Sequence, residues 1–251
     1  MTCWSHTRLS AFEQCPFKYY LQYVEKRKSP VQGIEGFMGN RVHEALQRLY
    51  EGVMKGKILG LKEVLEFYAK RWEEKYHPHV RVVKQDTTPE DYFNEGISCI
   101  EWFYRAHHPF DRGTTLAVEK RVYFSTSFGD RFRAVMDRVD LEDNKIVIHD
   151  YKTGGKLSSK EDLAADRQLS LYYRAAEQSI AEGRPIELRW HFLRYGKMIS
   201  LSGSEMMVEE VEKQVHQLIE VIESTDEYPP KLGPRCPWCG YSEMCPVYQD
   251  G

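Results

Sequence analysis

Two runs of β-forming residues flank Asp143-Asn144: Ala134-Val135-Met136-Asp137-Arg138-Val139-Asp140-Leu141 and Lys145-Ile146-Val147-Ile148-His149-Asp150-Tyr151-Lys152. No other stretch constrains the fold as tightly, because alternating β-branched residues around a turn pair read as a hairpin. With a two-residue turn, Asp137 lies directly across from Asp150. Alternation then puts Asp137, Val139 and Leu141 on one face with Ile146, Ile148, Asp150 and Lys152. A three-residue turn would instead bring His149 across from Asp137. Facing carboxylates sit about 4.5–5.5 Å apart at Cβ and repel unless compensated. On an otherwise apolar face, two acids and a lysine are costly unless neutralised. A hard divalent cation, Mg²⁺ or Mn²⁺, between the acids removes the repulsion. Lys152 is then placed to hold an attacking water or to stabilise charge growing on a phosphoryl oxygen. The bland alternative is a charge cluster on a solvent-facing edge strand, and the flanking Val and Ile count against it.

The hairpin sits inside a longer pattern. Helical periodicity covers 7–24, with Pro16 marking a kink or break, and then 38–51, 61–76 and 90–107. After Arg112-Gly113 the period changes, and 115–124, 131–141 and 145–152 read as three strands. A helix over 161–183 closed by Gly183, a strand over 186–195 and an amphipathic helix over 205–224 complete the chain. The last helix packs a stripe of Met207, Val211, Val215, Ile219 and Ile222. Strand–strand–strand–helix–strand with helices on either side is an α/β arrangement, a mixed sheet flanked by helices.

Composition excludes several classes. In 251 residues, 41% are hydrophobic, so a core can form and global disorder is ruled out. The formal net charge of −3 argues against a polybasic carrier but leaves room for a local basic groove. No apolar run approaches the ~18 residues of a membrane span. Met1-Thr2-Cys3-Trp4-Ser5-His6 lacks the layout of a secretory signal. The expectation is a soluble cytoplasmic protein.

Three of the six cysteines, Cys236, Cys239 and Cys245, fall within ten residues. A disulfide framework explains them poorly, and a redox pair leaves Cys245 unused. Soft thiolates suit zinc or an iron–sulphur cluster, and three of them want a fourth. Cys15 is the natural candidate because Cys15-Pro16 echoes Cys236-Pro237 and Cys245-Pro246. Cys3 lies at a terminus, where ligands fray. Cys99, in an amphipathic stretch, reads as a buried hydrophobe. A site closed by Cys15 clamps the two ends of the chain around the domain between them.

Taken together, these segments resemble the RecB-like branch of the PD-(D/E)XK nuclease superfamily over nearly the whole chain. Met136-Asp137-Arg138-Val139-Asp140 resembles the G-x-x-D-R-V/I-D strand, with Ala134 where the family often has glycine. His149-Asp150-Tyr151-Lys152-Thr153-Gly154 matches D-Y-K-T-G, and Gln168-Leu169-Ser170-Leu171-Tyr172 matches Q-x-x-x-Y. Gly39-Asn40-Arg41-Val42-His43 matches G-x-x-x-H, and the cysteine pattern resembles the iron–sulphur subgroup shared by AddB and CRISPR-associated RecB-like exonucleases.

The resemblance implies a restriction-endonuclease-like core in one nuclease domain over 1–251. Its parts are an iron–sulphur module at 1–25 and 228–251, a helical region at 37–110, a core at 113–200 and a C-terminal helix at 205–224. His43, Asp137 and Asp150 would ligate Mg²⁺ or Mn²⁺ with the Tyr151 carbonyl, and Lys152 would be the catalytic lysine. Glu119 would be an accessory acid. Gln168 and Tyr172, one helical turn apart, would position DNA and the lysine. Cys15, Cys236, Cys239 and Cys245 would hold a 4Fe–4S cluster. Asp140, on the opposite face, reads as structural and paired with Arg138 or Arg121. The expected activity is that of a DNA exonuclease preferring single strands, with partner proteins from repair, recombination or CRISPR systems. Two rivals stay open: a catalytically silent DNA-binding subunit, and a zinc-stapled hydrolase acting on another substrate.

Overall fold

The computed structural model describes residues 2–248; Met1 and residues 249–251, which the expected terminal module includes, lie outside the described residues. The chain opens with α1 (His6–Gln14), capped by the Ser5 hydroxyl on Arg8 N–H, and α2 (Pro16–Tyr19), which runs on as a π-helical turn (Tyr20–Val24). Pro16 sits at the first position of α2, where its missing N–H costs nothing, so of the expected kink or break the chain takes the break, at Cys15. A two-residue strand β1 (Gln32–Gly33) leads into the long helix α3 (Ile34–Val53). Helices α4 (Leu61–Lys75) and α5 (Pro89–His107) follow, with the short β2 (Val80–Arg81) between them pairing parallel to β1.

The sheet then forms from β3 (Thr114–Ser125), β4 (Arg131–Glu142), β5 (Lys145–Lys152), β6 (Ile186–Phe192) and β7 (Lys197–Ser202), in that spatial order. Only β5 and β6 are parallel. A parallel pair needs a crossover, supplied by α6 (Lys160–Ala164) and α7 (Arg167–Ser179). The single helix expected over 161–183 is therefore two, because the Asp166 side chain accepts from Leu169 N–H at 3.0 Å and starts α7 afresh. Strand β7 extends the sheet beyond the expected core boundary of 200. The final helix, α8 (Val208–Glu223), starts later than expected, which leaves Met207 exposed while Val208, Val211, Val215, Ile219 and Ile222 are buried.

Two apolar cores cover the sheet. Ile146, Ile148, Ile186 and Leu188 pack with α7 and α8 on one face. Tyr151 and Leu193 pack with α3, α4 and α5 on the other, where Cys99 is the small buried hydrophobe its sequence suggested. The cysteine-rich segment docks on the link before α3. Ser29 Oγ donates to the Val31 and Gly240 carbonyls at 2.6 and 2.9 Å, and Tyr241 OH donates to the Arg27 carbonyl at 2.8 Å. Gly240 is required by this approach, since a Cβ there would lie 2.0 Å from Ser29 Oγ and 2.7 Å from the Val31 carbonyl oxygen. No helix among the described residues is long and apolar enough to cross a membrane.

Candidate active site

The hairpin turn has two residues, Asp143 and Asn144, with φ of 47° and 61° as a type I′ turn requires. The ladder between β4 and β5 runs from Glu142 opposite Lys145 to Arg138 opposite His149, which puts Asp137 and Asp150 next in register, as the two-residue turn predicts. There the ladder ends. The Tyr151 N–H, which would continue it, donates instead to Asp137 Oδ2 at 2.7 Å. Because a buried N–H needs a partner, the first acid doubles as the cap of the opened sheet.

A second irregularity coincides with this one. On the other side of β4, Val118 pairs with Arg138 and Lys120 with Met136, leaving Glu119 and Asp137 between the pairs. Glu119 has φ +46°, a sparsely populated conformation for a residue with a side chain. Simple alternation fails at this point, since Met136 and Val139 stand three apart yet enter the same core. The outcome is that ligand atoms of Glu119, Asp137 and His43 from α3 lie within 4.8 Å of one another. His43 Nδ1 is 3.4 Å from Asp137 Oδ1, and its Nε2 is 3.0 Å from the Tyr151 carbonyl oxygen.

Asp150 stands beside this trio rather than within it. Its Oδ2 is 2.8 Å from Lys152 Nζ, an ion pair in which the ammonium faces a fully buried carboxylate. Lys152 Nζ donates to Gln168 Oε1 at 2.7 Å, and Gln168 Nε2 donates to Tyr172 OH at 2.8 Å. The i,i+4 pair on α7 thus carries a chain of hydrogen bonds to the lysine.

The electrostatics separate the two acids. Burial, reinforced by the Asp137 charge and opposed by Lys152, pushes the Asp150 carboxyl up to about 6. Burial would raise Asp137 too, but His43, the Tyr151 N–H and Lys152 outweigh it and hold its carboxyl below the usual range. For His43 burial works downward, and Asp137 with Asp150 and Glu119 prevails to lift it to about 9. Glu119 is raised by burial and by Asp137. Lys152 is raised because Asp150 overcomes its desolvation. Three carboxylates crowd here around one imidazole and one ammonium. Hard oxygens with a single imidazole fit a divalent cation such as Mg²⁺ or Mn²⁺.

A second cluster, Asp140, Glu142 and His149, also brings its ligand atoms within 4.8 Å. It is already neutralised: Arg138 Nε lies 3.2 Å from Asp140 and Arg189 Nη2 lies 2.8 Å from Glu142. That agrees with a structural Asp140 paired with Arg138. Less legible beforehand was the reach of Arg138, whose Nη1 also donates to Tyr151 OH at 2.9 Å. The signal available was an arginine directly after one acid and a tyrosine directly after the other, diagonal neighbours on one face of the hairpin.

Three cysteines of the terminal pattern, Cys15, Cys236 and Cys239, also lie close enough to influence one another. Burial raises the Cys239 thiol, and Cys15 and Cys236 raise it further. Backbone N–H groups point at three sulfurs: Lys231 at Cys15 and Gly233 at Cys236, both at 3.3 Å, and Tyr241 at Cys239. Donors aimed at sulfur are what thiolates bound to a metal or cluster accept.

Comparison with curated proteins finds no match. A solved structure entitled "Crystal structure of SSO0001" aligns over 97% of this chain and 96% of its own, at 12% identity and a TM-score of 0.35. A family model described as the PD-(D/E)XK nuclease superfamily matches residues 3–246, and the chain belongs to that superfamily.

Proposed function

We propose that the protein is a metal-dependent DNA exonuclease that prefers single strands, with a 4Fe–4S cluster clamping its chain ends. The observation that carries the nuclease reading is the meeting of Glu119, Asp137 and His43 beside the Asp150–Lys152 pair. His43, Asp137 and Asp150, with Glu119 as accessory acid and the Tyr151 carbonyl alongside, would hold Mg²⁺ or Mn²⁺. Such an ion, when bound, lowers the pKa of a bound water and polarises the scissile phosphate. Lys152 stays charged between Asp150 and Gln168 and presents its ammonium to the phosphoryl oxygen as negative charge develops. Gln168 and Tyr172 fix the direction from which that ammonium points. The exonuclease mode and strand preference rest on the RecB-like resemblance.

For the cysteine module, the cluster reading rests on the resemblance of Cys15-Pro16 and the Cys236, Cys239, Cys245 spacing to the iron–sulphur subgroup. Cys15, Cys236, Cys239 and Cys245 would be the four ligands.

The test is digestion of single- and double-stranded DNA labelled at either end, with Mg²⁺ or Mn²⁺, by wild type and Asp150→Ala. Shortening from the ends that Asp150→Ala abolishes is the expected result. Undiminished digestion by the variant refutes the site, and a ladder of internal cuts refutes the exonuclease mode. Iron and acid-labile sulfide in the purified protein decide between cluster and zinc.

A further inference from the structure

The end of the β4–β5 ladder leaves a cleft of about 180 Å³ between β4, α7 and the residues that open α1. Hydrogen bonds tie its walls together. Trp4 bridges to Phe132, its N–H donating to the Arg131 carbonyl at 2.8 Å and its own carbonyl accepting from Arg133 N–H at 2.9 Å. Arg167 at the start of α7 donates to Ser10 Oγ at 2.9 Å and to Glu13 Oε2 at 2.6 Å, fastening α1 to α7. The cleft therefore exists before any ligand arrives.

Its lining changes character from bottom to mouth. Phe124, Phe132 and Leu171 are buried and form an apolar floor, and Ser5, His6, Thr7 and Arg133 form a polar rim that is partly or fully exposed. The Arg133 guanidinium makes no hydrogen bond or ion pair with any described residue. One wall is Gln168 and Tyr172, the pair whose hydrogen bonds end on Lys152 Nζ. The space thus opens one side chain away from the lysine beside the cleavage site. An apolar floor with a polar rim suits a flat ring whose faces are apolar and whose edges carry donors and acceptors, and the volume suits one ring system rather than two. Ser and Thr hydroxyls and the Gln168 amide offer both donors and acceptors to such an edge, while both His6 ring nitrogens are engaged by Ser10 and Arg167, and Arg133 at the mouth matches the phosphate that follows.

We infer that this cleft is a subsite for a single nucleobase of the strand being cut, adjacent to the scissile phosphate, with Arg133 on the neighbouring phosphate. The inference rests on the nuclease reading and adds to it a defined position of base recognition. Burying one base against aromatic floor residues strengthens binding severalfold to a hundredfold.

The experiment moves a single abasic residue stepwise along an oligonucleotide and measures kcat/KM for wild type at each position. One position near the cut should show a loss of about tenfold or more. In Ala134→Met, which fills the cleft from its buried side, the ratio of intact to abasic kcat/KM at that position should fall close to one. Wild type that cuts every abasic substrate within twofold of the intact one overturns the subsite while leaving the nuclease reading in place. So does an unchanged ratio in a folded Ala134→Met. If wild type cuts no DNA, the nuclease reading fails, and the subsite is judged by binding alone. A 2-aminopurine stepped along the same oligonucleotide should then show one position shielded from a soluble quencher, and no shielded position overturns it.

Discussion

Arg138→Met is the perturbation that most directly probes how the hairpin is held. Arg138 is 2% exposed and lies 3.8 Å from the centroid of the Tyr50 ring. It supplies the positive charge for buried Asp140 at 3.2 Å and donates to Tyr151 OH at 2.9 Å. Its Nη2 also lies 2.9 Å from His149 Nε2, and His149 Nδ1 meets His191 Nε2 at 2.8 Å. Methionine fills much of the same volume but leaves Asp140 buried without its cation. Breaking a buried pair in this way costs about 3–5 kcal/mol. In a chain of this length that corresponds to a fall in melting temperature of roughly 6–20 °C. Replacing both partners by apolar groups is often close to neutral, so Arg138→Met with Asp140→Leu should regain more than half of the loss. Urea unfolding of wild type, the single variant and the double variant measures all three. A single variant within about 1 kcal/mol of wild type, or a double variant no more stable than the single, refutes the assignment of Arg138 as the neutraliser of Asp140.

Three further outcomes are expected. Lys152→Ala should lose about 10²–10³-fold in turnover per folded molecule, the scale of removing one donor to a developing oxyanion; a loss below tenfold would show that Lys152 does not meet the transition state. Cys236→Ser should lower folded yield more than it changes turnover of the molecules that survive, because the module joins segments near both chain ends; a fully folded but inactive variant would contradict the clamp. Acid should destabilise the fold from pH 6.5 downward. Burial and the nearby Arg138 push His107 down to about 4, and His149 and His191 lie well below 6.5 through burial. Between those values the unfolded chain binds protons the native one refuses, so stability falls with pH, by up to about 1.4 kcal/mol per pH unit for each histidine. Urea midpoints at pH 7.5, 6 and 5 that do not move would refute this.

The hairpin register was legible because a two-residue turn and period-2 alternation admit only one pairing that keeps Ile146 and Ile148 inside. What alternation cannot reveal is where pairing stops. The ladder ends at Arg138 because a carboxylate takes the next N–H and because Trp4, far away in sequence, bridges to β4 at Phe132. Strand β7 carried little signal, since of Lys197–Ser202 only Leu201 is buried. The break between α6 and α7 lies among good helix formers, and Asp166 as a cap was the one clue. Asp140 was legible as a structural partner of Arg138, but not the depth of that pair, because Tyr50 of α3 and Phe103 of α5, from before the sheet in sequence, cover Arg138.

The opened ladder also explains why the site is precise despite its load of like charges. Had β4 and β5 stayed paired through Asp137 and Asp150, the Tyr151 peptide groups would have been spent on sheet bonding. Instead its N–H fixes Asp137 and its carbonyl meets His43, while its hydroxyl is tied to Arg138 on the far side of the sheet. One residue is thereby anchored at three points, and two of them orient groups of the acidic cluster. Carboxylates placed by backbone contacts cannot swing apart to relieve their repulsion as exposed side chains would. Burial and the neighbouring Asp137 charge raise Asp150, and the same negative charge, against burial, raises His43; a divalent cation bound among the acids would offset that charge without the sheet having to move.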